Sequence, residues 1–165
     1  MKECGSGPTL SKLAPLGGRV EGLINATPGK EMQDMMDPAK DSIDLGVLVS
    51  DIKASLHFYQ ELLGLKFIEK IPVWFGTMYR LRFGTSDFKL IDPSTRPPQG
   101  LIGLERQLGF RYVTFVIRNL SDVCKELRSK GITFDVPEKE LRPGVRIAMV
   151  RDPDGNVVEF SQRNT

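Results

Sequence analysis

The 165-residue chain is poor in histidine and cysteine and nearly neutral. Its one histidine, His57, cannot by itself supply a two-histidine metal site within one chain. It also sits in a helical run between Leu56 and Phe58, where a surface or interface role is the expected one. The two cysteines, Cys4 and Cys124, are separated by most of the chain. That spacing argues against a disulfide framework and for a reducing compartment, so a cytoplasmic location is expected. Cys124 reads as packing on a helix face. No apolar run approaches the roughly 20 residues of a membrane span. The first 25 residues lack the long apolar core of a secretory signal. The net charge is +2, with Lys and Arg scattered among acids, which speaks against nucleic acid as a partner. Pro28-Gly29-Lys30 has neither the upstream glycine spacing nor the preceding strand of a phosphate loop.

What the chain does have is an internal repeat. Ser42–Ile52 reads as a strand and a helix start, followed by an amphipathic run to Leu62-Leu63-Gly64 and strand-like Leu65–Ile68. Phe110–Leu120 opens the same pattern again, with a run to Lys130-Gly131 and then Ile132-Thr133-Phe134. One unit of about 50 residues has too little core to stand alone. Two such units imply an α+β fold, with tandem βαβββ units forming a cupped, mostly antiparallel sheet around a cavity. The units are expected at about 42–93 and 110–162, within a domain spanning 42–165. Residues 1–41 stand apart as a loosely ordered arm rich in Gly and Pro, with a short helix expected near 29–37.

Within the first unit, Asp51 is placed to cap a helix, and Ile52, Ser55, Phe58, Tyr59, Leu62 and Leu63 follow helical spacing. Gly64 supplies the left-handed stop. Pro72 is expected to turn the chain. Met78–Phe83 alternates strictly, and Gly84–Asp87 reads as a hairpin turn before a strand over 88–92. Pro93–Gly100 reads as a linker. The second unit is expected as strand 111–117, helix 120–130 with Leu120, Val123, Cys124 and Leu127 inward, strands 132–136 and 144–150, a turn at Asp152–Gly155, and strand 156–161.

Three stretches carry a resemblance to a known family: Asp44-Leu45-Gly46-Val47-Leu48-Val49-Ser50-Asp51, Ser55–Leu65, and Asp152-Pro153-Asp154-Gly155-Asn156-Val157-Val158-Glu159-Phe160. They resemble the vicinal oxygen chelate superfamily, the glyoxalase, bleomycin-resistance and extradiol dioxygenase group. The resemblance implies the fold strongly and the reaction weakly, because the group spans isomerases, lyases, dioxygenases and proteins that only sequester antibiotics.

Members that use a metal usually hold it with four side chains on the first and last strands of each unit. The corresponding residues here are Asp44, Lys89, Tyr112 and Glu159. Asp44 and Glu159 could donate oxygen to an ion. An ammonium has no lone pair at neutral pH, and a protonated Tyr is a poor ligand. The resemblance therefore implies a site without its usual metal, and no cofactor is expected. It also implies that Asp44 lies beside Lys89 and Tyr112 beside Glu159. Alternation puts Arg80 and Arg82 on the face that holds Lys89, with Arg146 expected to join them from the second unit. Trp74, Phe75 and Met78 are expected on a loop that closes the mouth.

Two functions follow as expectations. One is a binding protein for a small organic metabolite, anionic or aromatic. The other is a metal-independent lyase or isomerase in which Lys89, Tyr112 and Glu159 move protons. Open strand edges also lead us to expect a homodimer, with neither nucleic acid nor membrane as partner.

Overall fold

The computed structural model describes residues 36–164. The arm expected at 1–41, with its short helix near 29–37, lies for the most part outside the described residues. The chain divides into two units, Met1–Pro38 and Ala39–Thr165, and the whole of the internal repeat lies in the second.

The repeat folds as two βαβββ units. The first contains β1 (Leu45–Leu48), helix α1 (Ile52–Leu56, running on as a π-helical turn over His57–Leu62), β2 (Lys66–Val73), β3 (Gly76–Phe83) and β4 (Ser86–Pro93). The second contains β5 (Tyr112–Val116), α2 (Leu120–Ser129), β6 (Phe134–Arg142), β7 (Val145–Arg151) and β8 (Val157–Arg163). Each unit makes its own four-stranded sheet, ordered β1-β4-β3-β2 and β5-β8-β7-β6. Both are mixed: β1 runs parallel to β4 and β5 parallel to β8, while the other pairs are antiparallel. The two sheets stay separate.

Local chemistry sets the helix boundaries. The Asp51 carboxylate accepts from the Lys53 and Ala54 N–H groups, capping donors that the first turn leaves free. Gly64 (φ 75°) and Gly131 (φ 77°) follow the two helices in the left-handed region that a side chain disfavours. The end of the first helix is wound more widely than its sequence spacing suggests: Leu63 N–H donates to Phe58 O at 3.0 Å, five residues back. Pro72 does not turn the chain. It lies inside β2, opposite Thr77, on an edge strand where its missing N–H costs no ladder bond. The turn falls at Trp74-Phe75 instead, and Met78 is in strand β3 rather than a loop.

One apolar core serves both units. Phe58 and Tyr59 from the first helix, Leu120, Cys124 and Leu127 from α2, Leu81, Phe88 and Leu90 from the first sheet, and Phe115, Val158 and Phe160 from the second form a single buried cluster. Aromatic rings cross the junction, with Phe83 and Phe115 edge-to-face at 4.9 Å. Because strand side chains alternate, the residues between these core positions point away from the helices. Each sheet therefore turns a helix-free face outward. On the first sheet that face carries Lys89 and Arg80, paired in register, and on the second Thr114 and Glu159, also paired in register.

Candidate functional site

The helix-free face of the first sheet gathers charge. Asp44, just before β1, accepts the Asp87 backbone N–H at 2.8 Å and lies 3.2 Å from Lys89 Nζ. Lys40 forms a second ion pair with Asp44 and also donates to Thr85 O at 3.2 Å. Gly46 is the register partner of Lys89, so no β1 side chain stands between the ammonium and Asp44. Across the β3–β4 hairpin, Arg82 Nε and Nη2 donate to Asp87 Oδ1 at 2.9 and 2.7 Å. Arg80 Nη1 is 3.6 Å from Asp87 Oδ2, and its Nη2 pairs with Glu69. Lys40, Arg80, Arg82 and Lys89 thus face Asp44, Glu69 and Asp87, which leaves the patch with an excess of positive charge.

The patch is partly open to water. The Lys89 and Asp44 side chains are 32% and 28% exposed, whereas Asp87 is 8% exposed beneath the two arginines. The Asp44 carboxyl is held far below the ordinary carboxylate range, by Lys40 above all, then by the Asp87 N–H and by Lys89. It remains a carboxylate throughout the physiological range.

The second sheet arranges its residues otherwise. Thr114 Oγ1 donates to Glu159 Oε2 at 2.5 Å, and the two are register partners. Tyr112 is opposite Val157 and is 55% exposed. The expected Tyr112–Glu159 pairing is therefore replaced by Thr114–Glu159, because the parallel register places Tyr112 two residues away. Arg146 does not join Lys89 either. It has the strand parity of Ala148 and Val150, both in the core, so it points to the helix side. There it donates to Ser121 Oγ at 2.8 Å and pairs with Glu138.

Trp74 and Phe75 meet edge-to-face at the tip of the β2–β3 hairpin with ring centroids 4.8 Å apart, and Trp74 is 94% exposed. Met78 shares strand parity with Arg80 and pairs with Ile71 and Ile91. His57 is an exposed helix residue, 2.6 Å from Glu61.

Sequence reading missed Lys40, Glu69, Asp87 and Thr114. Asp87 and Thr114 were within reach of alternation, since each neighbours a recognised site residue across the sheet. Glu69 was not, because a register shift between Phe67 and Glu69 changes the parity of β2.

The four positions that hold a metal in metal-using relatives do not fit one here. Lys89 places a positive charge where an ion would sit, and Asp44 is saturated by Lys40, Lys89 and the Asp87 N–H. Among the described residues no three His, Cys, Asp or Glu side chains gather as a metal-binding group.

Two tandem βαβββ units with their polar residues at these strand positions define a vicinal-oxygen-chelate type of domain. The family model of the Glyoxalase/Bleomycin resistance protein/Dioxygenase superfamily matches residues 42–160, and the chain belongs to that superfamily. Among solved structures it is similar to TnmS3, an antibiotic binding protein from Streptomyces sp. CB03234, at 26% identity and TM-score 0.59, covering 78% of this chain and 100% of that one. A glyoxalase/bleomycin resistance protein from the same Streptomyces is 28% identical with TM-score 0.56, covering 73% and 98%. A lactoylglutathione lyase from Agrobacterium tumefaciens is 20% identical with TM-score 0.58, covering 76% and 96%, a likeness of fold alone. The sequence has no match among curated proteins.

Proposed function

We propose that this chain is a metal-independent binding protein that takes a small organic anion, aromatic or otherwise, on the helix-free face of its first sheet. The observation that carries the reading is Lys89 beside Asp44 at 3.2 Å, in a patch whose cations outnumber its carboxylates. Such a patch favours a negatively charged or strongly polar ligand. The similarity to an antibiotic binding protein is consistent with sequestration as the purpose. Proton transfer by Lys89, Tyr112 and Glu159 has less support, because Lys89 is paired and Tyr112 is not bonded to Glu159.

The reading includes a homodimer. Tyr112 and Val116 are 55% and 50% exposed on the outward face of the second sheet, and a second copy would cover them and wall in the ligand. The test is equilibrium dialysis against a panel of aromatic and aliphatic anions, with light scattering on the same samples. Saturable binding that is lost in Lys89→Met, by a particle of twice the chain mass, is the expected result. Binding unchanged in Lys89→Met would refute the site, and a monomer at micromolar concentration would refute the dimer.

A further inference from the structure

Between the two units the chain runs from Ser94 to Arg111 without helix or strand. Irregular segments longer than about 12–15 residues are uncommon in compact domains and often carry function. This one is tied down by its own side chains. Gln107 Oε1 accepts from Leu101 N–H at 3.1 Å, and Arg111 Nη2 donates to Leu101 O and Gly103 O at 3.2 and 3.0 Å. Gln99 Nε2 donates to Asp154 O at 3.2 Å. Ile102 lies so close to Gly155 that a Cβ there would sit 3.0 Å from it. The segment thereby borders a cavity of about 290 Å³, lined on its other sides by the end of β1 and the β7–β8 turn and open to solvent.

The charge inside is unbalanced. Arg96 and Arg111 both line the cavity, and neither forms an ion pair among the described residues. Arg111 has only carbonyl acceptors, and its Nε is buried with no hydrogen-bond partner among the described residues. A buried donor left without an acceptor is costly, and such a group calls for an explanation. The one carboxylate in the lining, Asp154, is taken up by the Ser50 N–H at 3.1 and 3.2 Å. Two guanidiniums against one carboxylate leave a single positive charge. Leu48, Ile102 and Phe110 supply apolar wall beside it.

We propose that this cavity is a second ligand site, for a small monoanion consisting of a carboxylate on an apolar body. Arg96 holds the carboxylate in the forked geometry that guanidinium offers, and Arg111 adds a charge-assisted bond from Nη1, its Nη2 being committed to the Leu101 and Gly103 carbonyls. The body packs against Leu48, Ile102 and Phe110. Asp154 disfavours a dianion, so the site prefers a carboxylate to a phosphate monoester. It lies four residues along β1 from Asp44, roughly 13 Å at strand spacing, and does not depend on the Lys89 patch.

Benzoate is a suitable probe, followed by backbone amide shifts of the full chain. Saturable shifts are expected at Ser50, Leu101 and Gly155, with affinity in about the millimolar range for so small a ligand. Benzamide should bind at least about tenfold more weakly, since it loses the charge-assisted bonds. Phenyl phosphate should bind no tighter than benzoate. Arg96→Gln should reproduce the benzamide loss with the loop intact, because Arg96 makes no hydrogen bond among the described residues. Arg111→Lys, which keeps the charge but cannot bond the loop carbonyls and the ligand together, should weaken benzoate as well. Lys89→Met should leave these shifts unchanged. Equal binding of benzamide, tighter binding of phenyl phosphate, no saturation, or indifference to Arg96→Gln would each overturn the proposal. Benzoate binding abolished by Lys89→Met but not by Arg96→Gln would assign the anion to the first sheet, overturning this site while supporting the other.

Discussion

Tyr59 offers a direct test of how the two units are joined. It is 1% exposed, and its hydroxyl donates to Asp152 Oδ2 at 2.9 Å, linking the first helix to the β7–β8 turn. Asp152 is itself 5% exposed. Its carboxylate also accepts from Asp154 N–H at 3.0 Å, Asn156 N–H at 2.8 Å and Asn156 Nδ2 at 2.9 Å. Tyr59→Phe removes one of these donors and leaves the ring packing against Phe58 and Phe88 in place. A hydrogen bond to a charged group is worth about 1.5–3 kcal/mol, and both partners here are out of water, so a loss of about 2 kcal/mol is expected at pH 7.

The pH dependence has a definite sign. Burial raises the Asp152 pKa, against the lowering effect of Asn156 and Tyr59. A carboxyl whose folded pKa is raised contributes stability below its unfolded pKa, and that contribution is lost as pH rises through the folded value. Removing the Tyr59 donor raises the folded pKa further. The cost of Tyr59→Phe should therefore be full at pH 7 and shrink toward pH 4, where protonated Asp152 needs the donor less. Burial first, and the adjacent Asp152 charge second, keep the Tyr59 phenol protonated throughout.

Urea unfolding followed by circular dichroism reads this directly, as a midpoint shift of about 1 M at ordinary denaturant slopes. Fluorescence is a poorer probe, because Trp74, the single tryptophan, is exposed at a hairpin tip. A loss under about 0.5 kcal/mol, or an equal loss at both pH values, would refute the reasoning. A double-mutant cycle with Asp152→Asn should show coupling of about 1 kcal/mol or more.

Lys89→Met should cost no more than about 1 kcal/mol of stability, because the pair is a third exposed and Asp44 keeps Lys40 and the Asp87 N–H; a loss of several kcal/mol in thermal or urea unfolding would mean that the pair behaves as a buried one. Gly76→Ala should destabilise by at least about 2 kcal/mol, since its Cβ would fall 2.2 Å from Asp92 O and 2.9 Å from Pro93 Cα, both backbone atoms; near-neutral unfolding would show that the β3–β4 ladder can shift there. Elemental analysis of the purified protein should find no stoichiometric transition metal, and about one Zn, Ni, Fe or Mn per chain, lost on Glu159→Ala, would contradict the donor-set argument.

Much of the fold was legible because its signals are local. The repeated strand-helix-Gly pattern marked both units, Asp51 and Gly64 marked helix ends, and alternation put Arg80 and Lys89 on one face. Those rules depend only on residue spacing and backbone preference. Other features depended on pairings between distant segments. The parallel register of β5 on β8 gave Glu159 to Thr114 rather than Tyr112, and a register shift in β2 delivered Glu69 to Arg80. Arg146 went to α2 because its parity follows Ala148 and Val150, whose burial only the shared core reveals. The sequence reads as a plain linker over Pro93–Gly100 and as a strand from Arg111, whereas the irregular segment runs from Ser94 to Arg111, since the carbonyls that hold Arg111 carry no side-chain signature. By itself the sequence determined the class of domain and the residue types at the strand positions of its candidate site. Tertiary structure decided which of those residues meet, because a strand's neighbours are chosen by the whole sheet and core rather than by its own spacing.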